Sequence, residues 1–333
     1  MRILQIANYA NSAGGISVQV ALLQKKLRED GFVCDLISTK GTLFNRVVSI
    51  ARILFLGNNY DVFHIHACSG KGFFPAVVGI TIGKLLRKKI VLTYHGGGAE
   101  SFFRRHPRLV YRYLSRTSAN IALSGFIGKV FDEYNLPYTI IPNIIEFSEN
   151  CFRKRDIIRP VFISTRSLSD TYNIDCTLRA FKTVQDKYPH ATLTLLGDGP
   201  RRKALEDFAV SYGLQNVSFI GRVDNSEIYD YLDKSDIMVS SSRADNLPIS
   251  ILEGFNAGLL VIASRVGGIP YIIDNKENGL LFESDNSNEM AQQMIYAVEH
   301  QDHTQQMILE AHRTLEQYSW ENCRGRIMSL YNG

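Results

Sequence analysis

Hydrophobic residues along this chain follow two alternating periods. Short β-branched runs recur with helical stretches between them, and six such runs precede residue 144: RILQIA, VCDLIS, DVFHIH, KIVLTYH, NIALS and YTIIPN. After the first run, Ile16, Val20, Leu23 and Leu27 fall at i, i+4, i+7 and i+11, which places them on one face of a helix. The pattern therefore predicts strands that alternate with amphipathic helices.

This rhythm stops and then starts again, which indicates two domains. Residues 144–160 carry mixed charge without periodicity, and five further runs follow them: VFIST, ATLTLLG, VSFIG, DIMVSSS and LLVIAS. Apolar strands with helical crossovers are typical of parallel sheets covered on both faces. We predict an α/β protein with two Rossmann-like, doubly wound parallel-sheet domains, at 1–160 with a linker at its end and at 161–314. A C-terminal helix within 315–333 is expected to return to the first domain.

Composition indicates a folded intracellular protein. The 333 residues are 45% hydrophobic and 21% charged, which excludes a disordered chain or a fibre. The five cysteines are widely spaced and form no Cys-x2-Cys pair, so they support neither a disulfide framework nor a zinc site. No secretory signal is visible, and the longest apolar stretch, 73–83, is too short to span a bilayer. We expect a cytoplasmic protein.

Charge is divided unevenly along the chain. Up to Pro160 there are 22 Lys+Arg and 10 Asp+Glu, a balance of +12, whereas the remainder has 15 and 23, a balance of −8. A basic half is compatible with nucleic acid, an anionic membrane surface or an anionic substrate. The basic residues are scattered over several predicted helices and match no nucleic-acid-binding module. We therefore expect no nucleic-acid partner.

Loops after the strands are where chemistry is expected, because open parallel sheets bind ligands beyond the carboxyl ends of their strands. Gly14-Gly15 after the first strand would let a phosphate approach a helix N-terminus, although a plain turn is equally compatible. The G-x-G-x-x-G fingerprint is absent there, which argues against a two-domain dehydrogenase. Gly197, in the sequence GDGP, opens another strand-to-helix loop that suits a nucleotide or a tight turn.

Two acids stand at the start of a later helix. Asp245 and Glu253 are eight positions apart, one in a loop and one in the helix that Pro248 opens. Loop and helix can face the same ligand, and a carboxylate there can accept hydrogen bonds from the vicinal hydroxyls of a sugar. Taken alone, the pair is better explained as an acid at an ordinary helix start and a surface glutamate.

Together with other segments, these acids resemble the motifs of the family-four retaining glycosyltransferases, whose two Rossmann-like domains face a cleft in the fold called GT-B. The resemblance covers nearly the whole chain, and its most specific part is an acid, seven residues and a second acid. The segments that carry it are Gly14-Gly15, LTYHG, Pro142-Asn143, Arg166 with the later RAF, GDGP, FIGRV, SSSRADNLPISILEGFNAG and RVGGIPYIIDNKENGLLF.

The resemblance implies roles for residues of the second half. Glu253 matches the acid that binds the ribose hydroxyls of a nucleotide sugar, and Asp245 matches the acid that meets the donor sugar near the reacting centre. Arg166 matches the arginine that binds the diphosphate. The backbone amides of Asn246 and Leu247 would then lie against the sugar and the diphosphate.

Other donor contacts follow from the same comparison. Gly15 beside Gly14 would contact the diphosphate, His95 would hold a donor-sugar hydroxyl, and Val223 would meet the base through its main chain. His95, Arg166 and Asp245 are thus the candidate catalytic residues. Gly197, with Tyr172, completes the candidate donor site. His64 and His66 alternate along a strand, and we interpret them as structural.

Two departures from the family pattern bear on activity. The first acid is Asp245 where glutamate is usual, and the lysine expected six residues after Arg166 is replaced by Tyr172, followed by Asn173. Exchanging a charged donor for a neutral phenol weakens a hydrogen bond by about 1 to 2 kcal/mol, roughly a tenfold to thirtyfold loss in rate. Arg243, close before the first acid, is a candidate for the missing charge.

We therefore predict a metal-independent hexosyltransferase without a cofactor, which moves a sugar from a nucleotide donor to a hydroxyl acceptor with retention. No DxD pair is present, so the diphosphate is expected to be balanced by protein cations. A lipid-linked or polysaccharide intermediate is the expected acceptor. The alternative is a non-catalytic binding protein with a degenerate donor site, which Tyr172 leaves open.

A basic stretch suggests where such an acceptor would be met. Between Lys84 and Arg116 there are nine Lys+Arg and one acid, Glu100, and Pro107 is placed to open a helix. Its arginine stripe lies beside an apolar face, and the residues of both are Arg108, Arg112, Arg116, Leu109, Val110, Tyr113 and Leu114. We expect this helix to dock on the anionic inner face of a membrane. The alternative is that its apolar face packs on the sheet.

Overall fold

The computed structural model describes residues 1–10, 15–146, 151–224 and 227–333. Its contacts divide the chain into two compact units. The first unit comprises Met1–Glu146 and Gln317–Gly333, and the second comprises Phe147–Glu316. We predicted the domain boundary at residue 160, whereas the contacts divide the chain after residue 146. The last residues of the chain group with the first unit.

The first unit is built on a six-stranded parallel sheet in the order β2-β1-β3-β4-β5-β6. Its strands are β1 (Arg2–Ala7), β2 (Val33–Ser38), β3 (Val62–Ala67), β4 (Lys89–Tyr94), β5 (Ala119–Ala122) and β6 (Thr139–Ile140). Its first six helices are α1 (Gly15–Glu29), α2 (Leu43–Leu56), α3 (Phe74–Leu85), α4 (Ala99–Arg105), α5 (Pro107–Leu114) and α6 (Gly125–Glu133). All six residues of β3 are buried, as expected for a central strand covered on both faces.

The second unit repeats this architecture in the order β12-β11-β10-β7-β8-β9. Its strands are β7 (Val161–Ser164), β8 (Thr192–Leu196), β9 (Val217–Gly221), β10 (Ile237–Ser240), β11 (Leu260–Ser264) and β12 (Leu280–Phe282). Its helices are α7 (Ile174–Lys187), α8 (Arg202–Ser211), α9 (Ile228–Lys234), α10 (Ile249–Asn256), α11 (Ser287–Glu299) and α12 (Gln301–Thr314). The predicted fold class, two parallel-sheet α/β domains, is confirmed.

The last helix, α13 (Trp320–Asn332), belongs to the first unit. Trp320, Cys323, Ile327 and Tyr331 lie on one face of it and pack into a core cluster with residues of β1, α1 and β4. The buried face explains why this short terminal helix is held on the sheet of the first unit, since packing supplies most helical stability in proteins.

The segment interpreted as a linker is, from residue 151 onward, packed into the second unit. Asp236 is fully buried and accepts hydrogen bonds from the guanidinium groups of Arg153, Arg155 and Arg159. Arg155, itself buried, also donates to the carbonyl oxygens of Ala257 and Gly258 at 2.7 and 2.5 Å. A buried carboxylate requires such partners, so these arginines fasten the segment beside β10.

Helix α5 begins at Pro107 as predicted, but its apolar face lies inside the protein. Val110 and Leu114 are fully buried in the core of the first unit, whereas Leu109 and Tyr111 are 38% and 53% exposed. The expectation of a broad apolar docking face on this helix is therefore wrong, because Val110 and Leu114, which would form part of it, pack into the core of the first unit. Within the described parts of the chain, no helix is long and apolar enough to cross a membrane.

Candidate functional site

Loops at the carboxyl ends of adjacent strands bring several predicted site residues of the second unit together. The order β10-β7-β8-β9 makes the loops after these strands neighbours. Arg166 follows β7, Gly197 follows β8, and Asp245 follows β10. These are the positions at which open parallel sheets bind ligands.

The guanidinium of Arg166 is the centre of this group. Its Nη2 forms an ion pair with the carboxylate of Asp245, and its Nη1 donates to Ser250 Oγ at 2.7 Å. The ring of Tyr172 covers one face of the guanidinium, with the Cζ atom 4.4 Å from the ring centroid. Tyr172, which occupies the position of the expected lysine, is therefore in direct contact with the arginine.

Two polar groups at this site have unused hydrogen-bonding capacity. Glu253 lies in α10, partly buried, and its carboxylate forms no hydrogen bond with any residue that the structure describes. Burial raises its pKa, and the nearby charge of Arg166 opposes this only in part. The buried Nε of Arg166 likewise lacks a partner among the described residues. Buried polar groups are normally paired, so both atoms are suited to a ligand.

Backbone contacts hold the loop that carries Asp245. A Cβ atom added to Gly268 would lie 1.6 Å from the Asn246 carbonyl oxygen, and one added to Gly267 would lie 1.9 Å from that of Asp245. Gly268 N donates to Asp245 O at 3.0 Å, and Asp245 Oδ1 accepts from Asn246 N at 2.8 Å. The glycine pair thus positions the acid, a role that the sequence analysis did not assign to it. Asn246 and Leu247 are both buried.

Gly197 performs a similar structural task. Its φ is +145°, and an added Cβ would lie 2.4 Å from the Arg166 carbonyl oxygen, so only glycine allows this approach. Gly197 N also donates to Gly221 O at 2.8 Å. Val223 follows two residues later and is half-buried. The loops after β7, β8 and β9 are therefore joined through one glycine.

Arg243, the candidate for the missing charge, is already engaged. Its Nε and Nη2 donate to Asp285 Oδ1 at 2.9 and 2.7 Å, and its Nη1 donates to the Asp170 carbonyl oxygen at 2.8 Å. Asn173 has φ +50° and donates to the same carboxylate at 2.9 Å. Arg243 thus orders the loop that carries Tyr172, and its charge is balanced by Asp285.

In the first unit, His95 belongs to a chain of hydrogen-bonded side chains. His95 Nε2 lies 3.0 Å from His66 Nδ1, and His66 Nε2 lies 2.9 Å from the side-chain amide of Gln5. That amide is satisfied when its nitrogen faces His66, because it then also donates to Val20 O and accepts from Gln24 N. His66 then carries its proton on Nδ1 and donates it to His95 Nε2, which leaves the His95 proton on Nδ1.

A second pair of contacts extends this histidine group. His64 Nδ1 lies 2.5 Å from the Tyr331 hydroxyl, and His64 Nε2 lies 2.8 Å from Thr93 Oγ1. The rings of His64 and His66 are stacked with centroids 4.5 Å apart. The expectation that both histidines are structural missed the contact of His66 with His95. In the parallel pairing of β3 with β4, His66 lies opposite Thr93. Because side chains alternate along a strand, His64 and His66 share a sheet face with Thr93, and His95 follows two residues later on the same side. Strand register could therefore have indicated this contact.

Burial keeps these histidines neutral. It lowers the pKa of His64 to about 3, that of His95 to about 4 and that of His66 well below its usual value, and neighbouring histidines add to the effect at His64 and His66. The three rings line a cavity of about 30 Å³ with Gln19 of α1 and Asn143. Gly15 begins α1 one turn before Gln19, and Gly14 lies outside the described residues.

Among the described residues, no group of three or more His, Cys, Asp or Glu side chains is placed to hold a metal ion. The second unit instead offers one buried cation, two acids and the glycine-held loop that carries Asp245. Such a set can bind an anionic group and a polyhydroxyl group side by side, which is what a nucleotide sugar presents.

Comparison with known proteins gives the context of this geometry. Residues 43–149 match the model described as Glycosyltransferase Family 4, and residues 151–314 match that described as Glycosyl transferases group 1. An uncharacterized glycosyltransferase of Methanocaldococcus jannaschii is 23% identical over 358 residues, covering 99% of this chain and 98% of that protein. The N-acetyl-alpha-D-glucosaminyl L-malate synthase of Bacillus anthracis is 24% identical over 290 residues, covering 82% and 74%.

Solved structures agree on the fold. Anabaena HepE in complex with UDP-glucose superposes with a TM-score of 0.80 at 19% identity, covering 99% of this chain and 98% of that one. Matches to several longer curated glycosyltransferases span only 20% to 36% of those proteins. The two family matches together cover parts of both units. The superposition on HepE identifies the fold as GT-B. The chain is a member of the group 1 glycosyltransferases of family 4, a retaining family.

Proposed function

We propose that this protein transfers a hexosyl group from a UDP-sugar to a hydroxyl group, with retention of anomeric configuration and without a metal ion. The observation that carries the proposal is the carboxylate of Glu253, whose pKa is raised and which has no hydrogen-bond partner among the described residues. A vicinal diol would supply two donors to it. The UDP-glucose complex of the structurally similar HepE supports this choice of donor class.

In this proposal the residues of the second unit divide the donor between them. Glu253 accepts from the ribose hydroxyls, and Arg166, whose Nε is available, donates to the diphosphate. Asp245 lies towards the sugar, with the backbone amide of Leu247 beside it, and Val223 contacts the base through its main chain. Binding would draw on a buried guanidinium, for which hydrogen bonds to an anion are stronger than neutral ones.

The first unit contributes neutral groups to the same proposal. His95 stays uncharged at working pH because burial lowers its pKa to about 4. With Nε2 facing His66, its Nδ1–H is the atom that donates to a donor-sugar hydroxyl. The amide of Gly15, which begins α1, acts on the diphosphate.

The proposed step is substitution on one face of the sugar. The bond from C1 to the diphosphate oxygen breaks while a bond from C1 to the acceptor oxygen forms on the same side. The departing phosphate oxygen takes the acceptor proton, so no protein base is required. Arg166 offsets the negative charge that develops on the leaving group. The acceptor proposed is a lipid-linked or polysaccharide intermediate at the cytoplasmic side of a membrane.

A second candidate is a protein that binds a nucleotide sugar without turnover. The contact that favours it is the ring of Tyr172 over Arg166, where the family has a second cation. Since Asp245 already neutralises Arg166, the leaving diphosphate would meet less positive charge than in relatives with the lysine. Binding without hydrolysis or transfer would distinguish this candidate from the enzyme.

Thermal unfolding with a panel of UDP, UDP-glucose, UDP-N-acetylglucosamine and GDP-mannose tests donor binding. A ligand at 100 times its dissociation constant should stabilise the protein by about 2.7 kcal/mol. Glu253→Gln should abolish the shift, whereas Glu299→Gln, which alters a surface ion pair with Lys187, should not. Slow hydrolysis of the bound donor, with the anomer of the released sugar determined by NMR, tests turnover and retention. No shift with any nucleotide would refute both candidates.

A further inference from the structure

Helix α2 turns an apolar face outward. Phe44 and Phe55 expose 74% and 78% of their surface, and Leu43 and Val47 expose 79% and 57%. Seven of the twenty exposed large hydrophobic residues in the described parts of the chain lie on this single 14-residue helix. Single exposed hydrophobic residues are ordinary, whereas a contiguous group marks a surface that meets an apolar partner.

The helical period shows that this face is contiguous. Ser49 and Ile53 are buried and face the sheet. On the opposite side Phe44, Val48 and Phe55 fall at i, i+4 and i+11, which places them within a narrow arc. An ordinary surface helix carries polar residues along that line. Here the side turned away from the core is as apolar as a buried one.

The part of the chain that contains α2 is rich in basic residues and poor in acids. Residues 36–99 contain eight Lys+Arg and a single acid, Asp61. Arg52 is exposed on α2 itself. Beyond the end of the helix, Lys88 Nζ donates to the Asn58 carbonyl oxygen at 3.0 Å, which brings the basic end of α3 and the 69% exposed Leu85 close to α2. Positive charge therefore lies beside the apolar stripe, at Arg52 and at the basic end of α3.

We propose that α2 docks this protein on a bilayer with anionic headgroups, lying in the plane of the interface. At 14 residues the helix is about 21 Å long, too short to span the hydrocarbon core but suited to lying along it. Phe44, Val48 and Phe55 enter the acyl boundary, while Arg52 and Lys84 meet the headgroups. The proposal extends the suggested action on a lipid-linked acceptor, yet it depends on surface geometry and not on donor chemistry.

Charge decides between a membrane and a second copy of this chain. A two-fold contact through α2 would bring the same basic surface against itself. Because residues 36–60 contain no acid, the partner copy could not offer complementary charge from this helix. A bilayer with anionic headgroups offers an acyl boundary to the apolar stripe and negative charge to the basic residues beside it, so the bilayer is the occupant that fits.

Co-sedimentation with phosphatidylcholine vesicles, with and without phosphatidylglycerol, tests the proposal on the full chain. We expect wild-type protein to bind the anionic vesicles and to bind them less at high salt. Phe44→Ser with Phe55→Ser should lower the partition coefficient by about a hundredfold. Arg52→Glu with Lys84→Glu should lower it by about tenfold or more, mainly at low salt. Val210→Ser, which changes an 81% exposed apolar residue of the second unit, is the matched control.

Each result has a defined meaning. Absence of binding to anionic vesicles, or equal binding by the double phenylalanine variant, would overturn the proposal. A dimer in light scattering that the double variant dissolves would assign the face to a second copy and would also overturn it. Donor-induced thermal shifts, measured on the same variants, should stay unchanged, so that failure of the donor site and failure of docking are told apart.

Discussion

Acidification should destabilise the first unit through its buried histidines. The ordinary histidine pKa of about 6.5 applies to the unfolded chain, whereas in the folded unit burial lowers the pKa of His64 to about 3 and that of His95 to about 4. As the pH falls below 6.5, the unfolded state takes up protons that the folded state excludes. Stability is therefore lost from about pH 6.5 down to the folded pKa values.

The magnitude follows from the size of the pKa differences. At pH 5, a histidine that stays neutral in the folded state and titrates near 6.5 when unfolded costs about 2 kcal/mol relative to pH 7. His64 and His95 together should cost about 4 kcal/mol, and His66, whose pKa is lowered as well, acts in the same direction. This is a large share of the roughly 5 to 15 kcal/mol by which domains are stable.

Urea unfolding at pH 7 and pH 5, followed by tryptophan fluorescence, measures this loss. Trp320 is the single tryptophan, is 6% exposed and lies in α13 of the first unit, so it reports on the unit that holds the histidines. His64→Gln removes one titrating ring but retains a polar side chain. Its stability should fall by about 2 kcal/mol less than that of wild type over the same pH interval.

Tyr331→Phe is the control for this experiment. It removes the hydroxyl that contacts His64 Nδ1 but leaves the histidine in place. Stability should decrease at both pH values, while the pH dependence stays close to that of wild type. If His64→Gln and wild type lost equal stability between pH 7 and pH 5, the histidine would not be held neutral by the fold and the reasoning would be refuted.

Three further predictions concern the candidate donor site. Gly268→Ala should weaken UDP-sugar affinity by about tenfold or more, since its Cβ would lie 1.6 Å from the Asn246 carbonyl oxygen; Gly325→Ala, where the added carbon meets nothing within 4 Å, should leave the titration unchanged. Arg166→Ala should lower kcat/KM by about tenfold to a hundredfold and Tyr172→Phe by less than about threefold, because only the first removes a charge. The reverse order in steady-state kinetics would show that the proposed position of the diphosphate is wrong. Transfer measured in EDTA should match transfer in Mg²⁺, and activity restored only by the metal would contradict a site balanced by protein groups.

Strand periodicity sufficed for most of the fold because buried parallel strands leave a strong apolar signal. The exception is β12, whose three residues, Leu280–Phe282, are too few to establish a period. The charged segment before Pro160 was interpreted as a linker for a different reason. Arginine usually indicates solvent, and nothing local to Arg155 shows that Asp236, far along the chain, is buried where it can pair with it.

The site was predictable as a set of residues but not as an arrangement. Family motifs located Asp245 and Glu253, because their spacing is local to one loop and one helix. The glycines that hold the loop were less visible, since the need for Gly268 arises from a carbonyl that approaches from Asn246. His66 was set aside as structural because pairwise register, and not its own neighbours in sequence, brings it to His95.

In the proposed donor complex, Arg166 would connect the sugar end of the site to its phosphate end. Its guanidinium pairs with Asp245, so the pair is close to neutral, while Glu253 has no hydrogen-bond partner among the described residues. In that complex, a diphosphate that approached Arg166 would have to compete with Asp245, and any bond that it gained there would free the acid to turn towards the sugar. The ring of Tyr172 covers one face of the same guanidinium and limits how it can rotate. Replacing the expected lysine by tyrosine thus removes a charge from the site and at the same time fixes the orientation of the cation in contact with it.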